Sequence, residues 1–161
     1  MEPTLNIDDR VLVIKDNIIN LDIQSGDIIV FYNNDTEYTN NVFEEYVDGL
    51  KIWKINDQNI QLNTAIIKRV VGVGGDSVEI FEDGQVYVNE QKLIIFNINE
   101  GTNFKQERFI VPQNEIFVLG DNRPNSQDSR YIGTIPIENV IGKAIYIIFP
   151  FENFKNLNDW R

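Results

Sequence analysis

Ile116-Phe117-Val118-Leu119-Gly120-Asp121-Asn122-Arg123-Pro124-Asn125-Ser126-Gln127-Asp128-Ser129-Arg130 is the stretch that decides how this chain is read: an apolar run breaks at a glycine into a dense polar loop. A short apolar run bounded by a turn signal suits a buried strand. Two Asp and two Arg in the following loop are costly to desolvate unless they pair, so the loop is either a solvated turn or a fixed charge network. A second segment bears on that choice. Ile66-Ile67-Lys68-Arg69-Val70-Val71-Gly72 sets a single lysine inside a run of β-branched residues.

Working outward, short runs rich in β-branched and aromatic residues recur at Arg10–Ile14, Asp27–Tyr32, Ala65–Val73, Ser77–Phe81, Gln85–Val88, Arg108–Val111 and Ile116–Leu119, each bounded by turn residues. Asp48-Gly49 and Asp83-Gly84 sit between such runs and predict two-residue hairpin turns. The fold class is mainly β, with antiparallel sheets packed together or closed into a barrel and short helical or turn segments near the C-terminus. Residues 1–161 read as one domain. The Asn-, Asp- and Glu-rich stretch at about 33–63 reads as a β-hairpin insertion projecting from it. In the tail, Phe151, Phe154, Leu157 and Trp160 are spaced by three, which predicts a short helix or turn laid as an apolar flap over the core; an exposed aromatic patch for membrane contact is the alternative.

Composition removes whole classes of function. A net charge of −11 opposes binding to phosphate backbones, so no nucleic-acid partner is expected. The chain has no cysteine, which excludes disulfides, thiol nucleophiles and zinc–thiolate sites. It also has no histidine, which excludes a Ser-His-Asp triad and histidine-ligated metals. Acyl-transfer chemistry would have to take its base from Lys, Asp, Glu or an α-amine. By composition alone, a carboxylate-only metal site stays open. No apolar run reaches the length of about 18 residues that a membrane-spanning helix needs, and no charged-then-apolar leader opens the sequence.

Taken in order, the boxes Met1-Glu2-Pro3-Thr4-Leu5 with Asp8–Val13, Gly26–Phe31, Ile66–Gly72 with Gly75–Ile80, and Gly120–Arg130 with Gly133, Pro136 and Gly142-Lys143-Ala144 resemble the successive motifs of type I signal peptidases. The resemblance covers nearly the whole chain and is poorest over residues 33–63. It implies a membrane-associated serine endopeptidase that uses a Ser/Lys dyad, without metal or cofactor, to remove signal peptides from exported proteins after small residues. In that family the nucleophilic serine immediately precedes the methionine of the first box, and this sequence begins at that methionine. The expectation is therefore a polypeptide inactive by itself, either a truncated peptidase or a non-catalytic relative that binds signal peptides. A soluble Ser/Lys autoprotease, like the C-terminal domains of SOS-response repressors, is a further reading that the complete Gly120–Arg130 loop speaks against.

Carried over residue by residue, the resemblance makes Lys68 the general base and Ser126 the hydroxyl that orients its amine, with Ser129 a weaker candidate for the same contact. A lysine is a base only when neutral, and lowering its pKa to near 7 takes roughly 4–5 kcal/mol of selective destabilisation of the ammonium form. Burial on a strand can supply this: Ile66 and Val70 would share a face with Lys68, while Arg69 points away. An ordinary strand lysine reaching solvent is the alternative. Substrate would add as an extended strand along Ala65, Ile66 and Ile67, with Met1, Leu5 and Ile67 lining a small pocket, although core packing explains these apolar residues too. Gly120, Asp121, Asn122, Arg123, Asp128, Arg130 and Arg69 would be structural support, with Asp121 paired to Arg69 and Asp128 to Arg130. The resemblance also implies an N-terminal membrane anchor outside this sequence and a catalytic domain on the extracytoplasmic side of the cell membrane.

Overall fold

The apolar runs become strands in the computed structural model, which describes residues 1–15, 21–32, 65–95 and 104–159. The insertion read over residues 33–63, its Asp48-Gly49 turn and Trp160 lie outside the described residues. In chain order the strands are β1 (Arg10–Lys15), β2 (Ile28–Tyr32), β3 (Ala65–Val73), β4 (Ser77–Ile80), β5 (Val86–Val88), β6 (Gln91–Lys92), β7 (Gln106–Ile110), β8 (Glu115–Leu119), β9 (Ile135–Pro136), β10 (Val140–Phe149) and β11 (Lys155–Asn156). Among the described residues there is one α-helix, α1 (Ser129–Ile132), and three 3-10 turns.

Two antiparallel sheets result, as a mainly β reading requires. The larger runs β1-β10-β2-β3-β8-β9, with β11 also on β10; the smaller runs β6-β5-β4-β7. β3 leads from one to the other through the Gly74-Gly75-Asp76 turn, where Gly75 has φ +94°. The Asp83-Gly84 hairpin forms between β4 and β5, with Gly84 at φ +85° and Val78 opposite Val88.

Three apolar clusters explain which runs alternate and which do not. On one face of β2, β3 and β8, Ile29, Phe31, Ile66, Val70, Ile116 and Val118 pack together. On the other face, Phe117, Leu119 and Val71 meet Val78, Ile80 and Val86 of the smaller sheet. β8 is therefore buried on both faces, which is why its sequence is continuously apolar rather than alternating. The third cluster joins Met1 and Leu5 to Ile28, Ala144, Ile147 and Leu157, seating the N-terminal segment on β2, β10 and the tail.

The structure corrects the sequence reading at two places. β10, the longest strand and the link between β1 and β2, is not among the strands read from sequence, because Gly142-Lys143 interrupts its apolar pattern. Gly142 is there for clearance: a Cβ at this position would lie 2.2 Å from the Ile14 carbonyl oxygen of β1. The second correction concerns the tail flap. Leu157 covers core at 3% exposure, but Phe151 and Phe154 stand 81% and 63% exposed, because their rings meet Phe149 and Tyr146 on the outer side of β10 rather than the core.

Candidate active site

Lys68 lies where β3 loses one of its neighbours. β2 pairs along Ala65–Arg69, whereas β8 pairs with Arg69, Val70, Gly72 and Val73. On the β8 side, Ala65–Lys68 thus has no strand partner among the described residues. The ladder ends because the chain leaves it at Gly120, whose N–H donates to Asp128 Oδ2 at 2.9 Å instead of to a strand.

The polar loop is a fixed charge network. Arg69 is 2% exposed and forks onto Asp121, with Nε 2.9 Å from Oδ1 and Nη2 2.7 Å from Oδ2, while Nη1 donates to the Gly26 carbonyl at 2.8 Å. Asp128 receives a second fork from Arg130, at 2.8 Å from Nε and 2.9 Å from Nη2, and its Oδ1 also caps the start of α1 through Arg130 N–H. Both ion pairs expected from the sequence are present, and their burial rules out a solvated turn. Arg123 Nε donates to the Gly120 carbonyl, and the Arg123 carbonyl accepts from Arg130 Nη2 at 2.6 Å, which closes the loop on itself. Asn122 precedes the Arg123–Asn125 turn, and its carbonyl accepts from Asn125 N–H. Phe104 and Tyr131 cover the Arg130 guanidinium, with ring centroids 5.9 and 5.6 Å away.

Against this network, burial pushes the Lys68 amine below the ordinary lysine range. Asp128 and Asp121 oppose the shift and Arg130 reinforces it, but desolvation of the ammonium form is the largest effect. The amino group of Met1 is also desolvated and feels the Lys68 charge; together these lower its pKa to about 6, against the pull of Asp121 and Glu2. Met1 packs in one cluster with Ile67, the residue before Lys68 on β3, so both desolvated amines belong to the same end of this strand.

The two loop serines differ. Ser129 Oγ accepts from Val118 N–H at 2.9 Å, so this hydroxyl ties α1 to β8 rather than serving the lysine. The Oγ of Ser126 is buried and has no hydrogen-bond partner among the described residues; the expected bond to Lys68 is not formed here. Ser126 packs directly on Gly120, where an added Cβ would fall 2.1 Å from Oγ. Of the residues read as substrate-binding, Met1, Leu5 and Ile67 meet in the third cluster, Ile66 turns into the first, and Ala65 is half-buried where β3 begins.

Thr4 is a site residue that sequence reasoning passed over. It is buried, its hydroxyl donates to Asp121 Oδ2, and Arg69 Nη2 reaches its Oγ1 at 3.5 Å. The available signal was its place in the first box, three residues after Met1; the partner, 117 positions away, has no sequence signature.

Comparison with known proteins gives one answer throughout. The signal peptidase family, peptidase S26, matches residues 1–149. Similar proteins include a signal peptidase I of Leptolyngbya laminosa, 33% identical over 157 residues that make up 98% of this chain and 68% of the relative. A probable signal peptidase I-2 of Synechocystis is 35% identical over 159 residues, 99% of this chain and 63% of the relative. This chain thus spans about two thirds of the length of these relatives. Among solved structures, a signal peptidase I from Enterococcus faecalis is 26% identical, with 76% of this chain and 97% of that chain covered at a TM-score of 0.49. By family match, relatives and motif order together, the chain belongs to the type I signal peptidases of the peptidase S26 family.

Proposed function

We propose that this chain is the catalytic domain of a signal peptidase I acting through a Ser/Lys dyad, with Lys68 as general base. The observation that carries the reading is the desolvated Lys68 amine beside the backbone nitrogen of Met1. A residue bonded to that nitrogen begins next to the amine, and the family's nucleophilic serine occupies that position. The neutral amine would take the proton of the serine hydroxyl as Oγ bonds to the scissile carbonyl carbon, whose oxygen becomes the oxyanion. On collapse, the C–N bond breaks and the Lys68 ammonium returns the proton to the leaving amine. Water then releases the acyl group by the same base.

Ser126 is the proposed orienting hydroxyl. A buried hydroxyl without a partner costs about 1–3 kcal/mol, which argues for a partner gained during the reaction cycle. The edge at Ala65–Lys68, without a strand partner among the described residues, supports binding of an extended signal peptide by strand addition. The charge network of Gly120, Asp121, Asn122, Arg123, Asp128, Arg130 and Arg69 supports both from behind. The longer protein is inferred to sit at the cell membrane through an N-terminal anchor, with this domain on the extracytoplasmic side.

The test is cleavage of a peptide with Ala at the small-residue positions before the scissile bond, by a chain extended upstream of Met1 with a serine and a short preceding segment. Cleavage is expected, and the Lys68→Ala form of the same chain should lose it. Equal rates in the two forms would refute the dyad. Binding of the peptide without cleavage would instead favour a signal-peptide-binding relative.

A further inference from the structure

Outside the residues already given a role, one buried group ties the N-terminal segment to the charge network. The Thr4 N–H donates to the Met1 carbonyl at 3.0 Å, and the Leu5 N–H does the same at 3.1 Å, so Met1 to Leu5 form one tight turn. From that turn the Thr4 hydroxyl donates to Asp121, whose carboxylate is held in turn by Arg69, the residue after Lys68 on β3. Arg69 also holds the Gly26 carbonyl at the approach to β2. Three segments distant in sequence thus converge on one guanidinium, and the Thr4 hydroxyl links the first turn to it.

We propose that Thr4 is a positioning residue: its hydroxyl, fixed on the Arg69–Asp121 pair, sets where the Met1 nitrogen stands relative to the Lys68 amine. The inference rests on the Ser/Lys reading for its functional meaning but on the hydrogen bonds alone for its geometry. Packing contributes through Met1 and Leu5 in the third cluster, yet apolar contacts tolerate sliding, whereas a hydroxyl–carboxylate bond fixes distance and direction. Thr4 has a second, electrostatic consequence. The Lys68 amine feels the charges of Asp128, Arg130 and Asp121, and its own charge is felt at the Met1 amine. A donor on Asp121 balances part of the charge that favours the ammonium form of Lys68.

Thr4→Val keeps shape and removes the hydroxyl; Thr4→Ser keeps the hydroxyl and removes a methyl. The experiment is NMR titration of the Lys68 and Met1 amines in the polypeptide 1–161 and in both variants. Thr4→Val is expected to raise both pKa values by about half to one unit, Met1 because its turn loosens into water and Lys68 because Asp121 is less balanced. Thr4→Ser should stay close to the parent. If Thr4→Val leaves both titrations unmoved, or Thr4→Ser shifts them as far, Thr4 only fills space and the inference fails. Should Thr4→Val not fold, the parent itself decides: the Thr4 hydroxyl proton should be protected from solvent exchange and correlate with the Arg69 guanidinium, and a freely exchanging one overturns the inference. None of these readings needs cleavage, so their failure is distinct from failure of the peptidase assignment, which the extended chain tests.

Discussion

Arg69 and Asp121 meet through two parallel contacts of 2.9 and 2.7 Å, with their side chains 2% and 0% exposed. This pair joins the strand that carries Lys68 to the start of the polar loop. Replacing one partner would leave the other charged and dry. Asp121→Ala should therefore cost about 3–5 kcal/mol of stability, measured by urea unfolding. The double variant Arg69→Met/Asp121→Leu should recover a good part of that loss, because neither charge is then stranded. A double variant as unstable as the single one would mean that the pair's other bonds, to Thr4 and Gly26, matter more than its charge balance.

Gly120 bears on the same loop through space rather than charge. A methyl there would lie 2.1 Å from Ser126 Oγ and 2.6 Å from its Cβ. Gly120→Ala is expected to displace Ser126, with amide shift changes spread over residues 120–130 and a stability loss of about 1–3 kcal/mol. Unchanged shifts around Ser126 would show that the loop absorbs the methyl elsewhere.

Ser126→Ala should separate stability from function. Its hydroxyl is buried without a partner, so removing it should leave the fold as stable as the parent or stabilise it by up to about 1 kcal/mol. In the chain extended with a serine upstream, the same change should cut kcat by roughly tenfold or more, as expected for loss of a group that aims a general base. A variant that is both less stable and fully active would assign Ser126 to folding instead.

Lys68 and Met1 titrate as neighbours. Removing the lysine charge with Lys68→Met should raise the Met1 amine above its value of about 6, toward that of an ordinary chain end. The linked stability has a definite sign. Both amines have folded pKa values below their unfolded ones, so the unfolded chain binds more protons in the interval between, and stability rises with pH there. For Met1 this window runs from about 6 to 8. Urea unfolding at several pH values should show the parent gaining stability with rising pH across it, and Lys68→Met gaining less. A flat profile in the parent would contradict the burial of these two amines.

Much of this protein could be read from the residues themselves. The strands β1 to β5, β7 and β8 announce themselves because local apolar pattern and turn residues act over a few positions, and the Asp83-Gly84 hairpin follows from φ > 0 at Gly84. The order of the motifs points to the family, and it is this resemblance, more than the β-branched run around it, that makes Lys68 the candidate base. Two ion pairs were also legible, since carboxylates and guanidinium groups that must be buried have few partners to choose from.

Tertiary structure decided the rest, because it depends on contacts between distant positions. Gly142 looks like a strand breaker until Ile14 is found packed against it, so the longest strand is hidden in the local pattern. Phe151 and Phe154 have the spacing of a covering flap, yet only Leu157 finds core to cover. Thr4 reads as an unremarkable box residue, and its bond to Asp121 exists only because β3 and β8 pair and bring Asp121 and the first turn to one guanidinium. The sequence alone therefore determined most of the longer strands and, through its motifs, the candidate base. Where β8 stops, and hence which edge of β3 beside Lys68 has no strand partner among the described residues, was settled by the folded loop: Asp128 takes the Gly120 N–H out of the ladder.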